Sequence, residues 1–573
     1  MKMAVNRFSF HAKLSIIRWD KIKSIIWLAI VAIFCVSFVY RIQIFNGFSV
    51  LGGDRFDAVI SASILEHWHR VFSGQSWWSD VGYFYPYKDT IAQTDAYFLV
   101  AIPYSLLRLL RFDPLLAQEL TGMFFHLLGF IAFYALCRKC LTLNRSASIA
   151  GASFFILMAS SSVFLYRTQL SSLALAPLVT IMTWRAVSNL NIGNIRGYRL
   201  YGSIATALFS LWCLTCFYMA WFFLYFLIIF FIFFGVLQRD LLVKFLKNVI
   251  NRWPSTLLII AVALTFIAPF IYAFLPKSME VGVRTWKSVE ENLVFPRDVL
   301  LMHPSSMGGI LESHIFTIFM SIPKVSSEYA RLGFSPLLVI CLISVLLKRR
   351  DHSKDPKSTL SWIMKSAVLS TLFCAVSVIN FHGFSLWKYV YEFFPGAAAL
   401  NVASAIFIFL TFPLALTFAF YTDHINLKGL SALIWTLGFI CLEINTPYVN
   451  LNRSDELALL KVPMAPAGCK AFYVGPLKEQ RGLDESKQWL LEVYPHNVAA
   501  IYIAQELGIP TINGQASFNP PDWNFGYPAR QDYETRVFKY VERHKLIDIC
   551  RLDIENKSWS QGSPAALKQL SPS

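Results

Sequence analysis

Residues 201–237 read YGSIATALFSLWCLTCFYMAWFFLYFLIIFFIFFGVL. The run holds no Asp, Glu, Lys or Arg, and about 20 apolar residues already suffice to cross a bilayer core. It is too long for one crossing, so it predicts two helices with a tight hairpin near Cys216–Met219. Similar apolar blocks recur on both sides. They predict spans near Ile25–Tyr40, Leu116–Leu136, Ile149–Leu165, Ser171–Trp184, Pro254–Phe274, Leu332–Leu347, Thr359–Ile379, Ala398–Phe420 and Leu430–Ile444. With the hairpin this makes about eleven.

Composition agrees. The chain is 56% hydrophobic and only 15% charged, whereas a soluble domain carries about 25% charged residues. The net charge of +16 does not point to nucleic acid, because the bases sit in connections between apolar blocks rather than on one surface. Lys2, Arg7, Lys13, Arg18, Lys21 and Lys23 precede the first span. Arg138, Lys139, Arg145, Arg185, Arg196, Arg199, Arg239, Lys244, Lys247 and Arg252 fill later connections of the same side. Asp54, Asp57, Glu66, Asp80, Asp89, Asp95, Asp113, Glu280, Glu290 and Glu291 fill the other. The bias toward bases on one side places that side in the cytoplasm.

The expected fold is therefore an all-α polytopic membrane domain followed by a small α/β extracytoplasmic domain. Residues 1–23 form a basic cytoplasmic head, 24–447 the transmembrane domain with a first outer loop over 41–113, and 448–573 the outer domain. The stretch Tyr97–Leu110, broken by Pro103, is expected to lie as a helix at the outer surface. In the C-terminal domain strands are expected at Ala471–Val474, Thr511–Gly514 and Ile547–Leu552. Helices are expected at Asp484–Tyr494, Val498–Leu507 and Tyr533–His544, with a loose tail over the last dozen or so residues. Cys469 and Cys550 are the only cysteines there, and an outward location makes a disulfide between them plausible. Cys137-x-x-Cys140 and Cys213-x-x-Cys216 lack further ligands at metal spacing and read as small apolar residues of helices.

The first outer loop carries the chemistry. It opens Leu51-Gly-Gly-Asp-Arg-Phe-Asp57, continues as an amphipathic stretch to Phe72 with Asp57 expected at its N-cap, and then reads Phe84-Tyr-Pro-Tyr-Lys-Asp89 and Thr94-Asp95. A carboxylate can take a proton from an acceptor hydroxyl, a lysine can neutralise a leaving phosphate, and aromatics suit sugar faces and the lipid interface. An interfacial loop with capping acids would show the same residues.

Gly53-Asp54-Arg55-Phe56-Asp57 after span one, the helix ending in a small turn at Glu66–Gly74, and Tyr85-Pro86 resemble the bacterial, polyprenyl-phosphate-sugar-dependent members of the GT-C superfamily of membrane glycosyltransferases. The resemblance implies an inverting sugar transfer on the extracytoplasmic face of the cell inner (plasma) membrane, from a polyprenyl-phosphate donor to a glycan, lipid or protein acceptor. Asp57 or Asp54 would be the general base. Lys88, Asp95 and Tyr85 would contact the donor. Such proteins carry arginines near the positions of Asn401 and Ala405. Here those are absent, which leaves Arg284, Arg297 and Lys388 as candidate phosphate contacts. A divalent cation, Mg or Mn, would sit on Asp54, Asp57 and Asp95 if one is used. Two other classes compete. A transporter or flippase for a lipid-linked saccharide would place charged or polar residues mid-span, and these spans hold almost no charge there. A non-catalytic envelope-assembly protein would not need the acids.

Overall fold

The computed structural model describes residues 22–158, 166–304, 306–319, 335–347, 356–427, 429–444, 448–480 and 489–561. Within them, seven helices are long and apolar enough to cross a membrane: Ile22–Val39, Pro114–Cys140, Thr168–Asn191, Phe217–Leu237, Trp253–Val281, Thr359–Ser377 and Ala403–His424. Shorter apolar helices lie at Phe98–Leu109, Arg145–Leu157, Leu338–Leu347 and Leu430–Glu443. The expected hairpin is present: Ile195–Cys213 and Phe217–Leu237 are two helices with the break at residues 214–216. The C-terminal parts of the expected spans at Ile149–Leu165 and residues 332–334 lie outside the described residues, as do the basic head 1–21 and the tail from 562.

Burial sorts the helices. The apolar window of Ala403–His424 is wholly buried, whereas only 6% of that of Trp253–Val281 is covered. Leu257, Leu264, Ile271 and Leu275 stand exposed along the latter, an apolar face of the kind that lipid covers. Ends that share a side are tied together. At one side Arg145 donates to Ser24 O at 2.9 Å, the Asn144 amide to Asp423 at 2.7 Å, and Asn248 to Asn191 at 3.4 Å. At the other, Tyr97 N donates to Thr215 O, Arg284 N to Ala398 O and Gly53 N to Tyr448 O. Arg453 also pairs there with Asp113 at 2.6 Å, which caps the helix starting at Pro114. The connections that carry Arg145 and Asn248 meet at the first side, and Asp54 and Asp57 stand at the second.

The C-terminal domain sits on the Asp54 side. Strand β1 (Val50–Gly52), from the first loop, pairs antiparallel with β2 (Val449–Asn452). β3 (Ala471–Val474) runs parallel to β4 (Ile549–Asp553), which pairs antiparallel with β5 (Ser558–Gln561). β5 replaces the start of the expected loose tail. Cys469 and Cys550 stand in disulfide geometry, Cα atoms 5.7 Å apart. Thr511–Gly514 contributes only a single bridge, Phe472 to Thr511, rather than a strand. Residues 484–488 of the first helix expected around Pro495 lie outside the described residues; from Trp489 to Leu507 the two expected helices are one. Proline cannot donate to the carbonyl four residues back, but the buried Gln480 side chain does so, its Nε2 reaching Leu491 O at 3.1 Å and Glu492 O at 2.8 Å.

Candidate active site

The site begins with two glycines in a ladder. Gly52 N donates to Glu119 Oε2 at 3.3 Å, and Gln43 holds the other carboxylate oxygen of Glu119 at 2.9 Å. Gly53 donates to Tyr448 O at 2.7 Å and accepts from Asn450 N at 2.9 Å. Its φ of +79° is glycine's own region. A Cβ there would also overlap the Cβ and ring of Tyr166. The aspartates therefore leave a fixed point, locked against the segment that carries Arg167.

Asp54 folds onto its own turn, Oδ1 accepting from Phe56 N at 2.9 Å, with the Tyr448 hydroxyl 3.4 Å from Oδ2. Burial raises its carboxyl above the ordinary value, and the Asp57 charge adds to this against the Phe56 hydrogen bond. Asp57 does not cap the Asp57–Phe72 helix as expected: Phe56 holds the N-cap position, and Asp57 sits in the first turn. Its side chain turns away from the helix because a stronger partner is at hand. Arg167 Nε and Nη2 both donate to Asp57 Oδ2, at 3.0 and 2.7 Å. The pair is reachable, with side-chain exposures of 19% for Arg167 and 33% for Asp57. The guanidinium carbon lies 5.5 Å from the Tyr166 ring centre.

Two residues on, Gln169 bonds Asp95. Asp95 Oδ1 accepts from Phe217 N at 2.9 Å and Oδ2 from Cys216 Sγ at 3.6 Å. It thus caps the Phe217–Leu237 helix from outside, where a negative charge suits the helix N-terminus. Burial pushes its carboxyl up to about 6. The Tyr97 hydroxyl, 2.9 Å from Ser61 Oγ, feels both Asp95 and Asp57.

Other expected residues are not gathered here. Lys88 pairs with Asp80 at 3.1 Å. With Tyr85 it lines a cavity of about 260 Å³ shared with Arg70, Trp77, Tyr87 and Gln505. That cavity is at the far end of the Asp57–Phe72 helix: Arg70 follows Asp57 by 13 residues, roughly 20 Å at 1.5 Å each. The Trp489–Leu507 helix spans the same distance alongside, its Tyr494 ring 5.7 Å from Phe56 and its Gln505 carbonyl 2.9 Å from Arg70 Nη1. Lys88 and Tyr85 thus stand apart from the aspartates because a helix carries the chain away between them. Arg284 lies nearer. It feels Tyr218 and Tyr494, packs 4.6 Å from the Phe518 ring centre and donates to Ser517 O. Burial lowers its pKa, and its Nε is buried without a partner. Lys388 is exposed on the Trp387–Phe393 helix, and the Arg297 side chain lies outside the described residues. Asn401 Oδ1 accepts from Ser288 at 2.7 Å and its amide donates to the Tyr218 hydroxyl at 2.8 Å.

Asp54, Asp57 and Asp95 are not gathered into one cluster of carboxylates. Among the described residues no three metal-ligating side chains come together.

Sequence reading missed Arg167, Gln169 and Tyr97. Arg167 carried one signal: a base at the end of a span, on the side otherwise rich in acids.

No family model matches the chain, and no curated protein does. Among solved structures it is similar to the crystal structure of the Archaeoglobus fulgidus oligosaccharyltransferase in the apo form. Identity is 11% and the TM-score 0.42, over 91% of this chain and 69% of that one.

Proposed function

We propose that this chain is an integral membrane glycosyltransferase that moves a sugar from a polyprenyl-phosphate carrier to an acceptor hydroxyl on the extracytoplasmic face, with inversion at the anomeric carbon. One observation supports this above others. Two aspartates that follow Gly53, one of them paired with a guanidinium, stand at the end of an apolar helical bundle and beneath a polar domain. That is the place where a membrane-borne donor and a water-borne acceptor can meet.

In the proposed step the acceptor oxygen attacks the anomeric carbon and its proton passes to a carboxylate. The bond from that carbon to the phosphate oxygen breaks, and its electron pair leaves with the lipid phosphate. Asp54 and Asp57 both suit the proton's destination. A base works best with a pKa near the working pH, which favours Asp54, raised by burial. Asp57 has Arg167 on Oδ2 and offers Oδ1 as the acceptor. In either case Arg167 supplies positive charge beside the aspartates.

The test replaces each aspartate singly by asparagine in a strain whose surface glycans are profiled. The base variant should lose about 100-fold or more of the transfer, and the other should lose less. Unchanged glycans in both variants, at normal protein level, would contradict the proposal.

A further inference from the structure

We infer that the Arg239–Asn251 helix lies in the plane of the membrane, in the headgroup layer of the cytoplasmic leaflet, and binds anionic phospholipid there. It holds this role whether or not the aspartates at the other end transfer sugar.

The helix joins the span Phe217–Leu237 to the span Trp253–Val281 and reads RDLLVKFLKNVIN. Successive residues turn by about 100°, so three rows of positions i, i+3 and i+7 follow one another around it. The first row, Leu242, Phe245 and Val249, packs on the protein. A Cβ at Gly235 would stand 2.8 Å from Leu242 Cδ2, Phe245 stacks on Phe231 with ring centres 6.5 Å apart, and Phe245 and Val249 cover the cluster of Ala186, Leu190, Tyr198 and Ile259. The second row, Val243, Leu246 and Ile250, is apolar throughout and exposed. The third, Lys244, Lys247 and Asn251, is polar throughout and exposed. A water-soluble surface helix would carry polar residues on both outer rows.

The inner row sets the depth. Phe231 stands six residues before the end of its helix at Leu237, and Ile259 six after the start of its helix at Trp253, roughly 9 Å at 1.5 Å each. Contacts that far in from the span ends reach the depth, about 5–10 Å, at which in-plane amphipathic helices rest in the boundary between headgroups and acyl chains. The second row then meets acyl chains. Its neighbours along the chain agree: Ile232 and Val236 before the helix and Trp253 and Leu257 after it are exposed apolar residues of spans. A soluble partner would have to enter the bilayer to cover the same row.

Charge selects the lipid. The third row points away from the first, toward the cytoplasm, and Arg239 and Arg252 flank it, both exposed. Four cations thus face the headgroups against one acid, Asp240. Their apolar stems lie along the helix while the charges reach phosphate level, where an anionic surface attracts each of them.

The experiment uses the full chain, its exposed Cys441 replaced by serine, in nanodiscs of phosphatidylcholine and phosphatidylglycerol. A nitroxide is attached at Leu246→Cys, Ile250→Cys or Lys247→Cys, and its collisions with oxygen, which gathers in lipid, are compared with those of a water-soluble nickel chelate. Leu246→Cys and Ile250→Cys should favour oxygen and Lys247→Cys the chelate. Chelate access at all three would place the apolar row in water, overturn the membrane surface and leave a soluble partner as its occupant. For the lipid class, a fluorophore at Asn251→Cys is quenched by nitroxide-bearing phosphatidylglycerol or phosphatidylcholine at low salt. The anionic lipid should reach equal quenching at a mole fraction about fivefold lower, one charge's worth of attraction or more. Lys244→Gln with Lys247→Gln should lose most of that preference. Equal quenching by the two lipids in the wild type would overturn anionic selection, and a preference undiminished in the double variant would overturn its assignment to this helix.

Discussion

Gly53 fixes where the aspartates point, through a φ of +79° and a surface laid against Tyr166. Alanine there meets the left-handed penalty of about 1–2 kcal/mol and the Tyr166 overlap besides. Gly53→Ala should lower the thermal unfolding midpoint and reduce transfer, whereas Gly74→Ala, also at positive φ but in open space, should affect unfolding only. Asp95 makes a prediction in pH. A buried acid whose native pKa is about 6 binds more protons folded than unfolded between roughly pH 4 and that value. Its contribution to stability is therefore greatest at the acid end of that window and is lost as pH rises through it. Asp95→Asn keeps an oxygen for Phe217 N and removes the titration. The midpoint of the wild type minus that of Asp95→Asn should fall from pH 4 to 6 and then level off; a constant difference would refute a buried charge at Asp95. The aspartate pair was legible in the sequence because glycines and acids stood together just outside a span. Arg167 was not, since its partner lies 110 residues away and its own surroundings read only as a span end. Lys88 misled in the opposite sense: it is near in sequence, but the intervening helix sets it far off in space.

At the scale of elements, most helices follow from hydropathy, because an apolar block in a bilayer must satisfy its backbone internally. The break at residues 214–216 follows from length alone. The exception is the Trp489–Leu507 helix, read as two pieces because proline removes a hydrogen bond. What sequence reading lacked was the donor that replaces it, Gln480, which is wholly buried and reaches the orphaned Leu491 carbonyl. Gln480→Leu should leave that carbonyl unsatisfied and destabilise the chain by about 1–3 kcal/mol, measured as a lower unfolding midpoint. This helix also brings Tyr494 beside Phe56, so the same variant should weaken transfer. A second test at this scale concerns Cys469 and Cys550, 81 residues apart. Cys469→Ser should lower stability by about 2–4 kcal/mol. Both thiols of the natural chain should resist maleimide until a reductant is added.

For the whole molecule, the arrangement separates two ends. Connections rich in Lys and Arg meet around Ser24, Asn144 and Asn191, while Asp54, Asp57, Arg167 and the C-terminal domain meet at the opposite end. Charge bias assigns the first end to the cytoplasm, and the account depends on that assignment. The direct measurement is labelling of single cysteines with a membrane-impermeant maleimide in right-side-out vesicles. Ser49→Cys, exposed just before β1, and Asn191→Cys, exposed at the opposite end, would be placed in a chain whose exposed Cys441 is replaced by serine. The account predicts that Ser49→Cys labels in intact vesicles and Asn191→Cys only after they are opened. The reverse pattern would put the aspartates in the cytoplasm and contradict it.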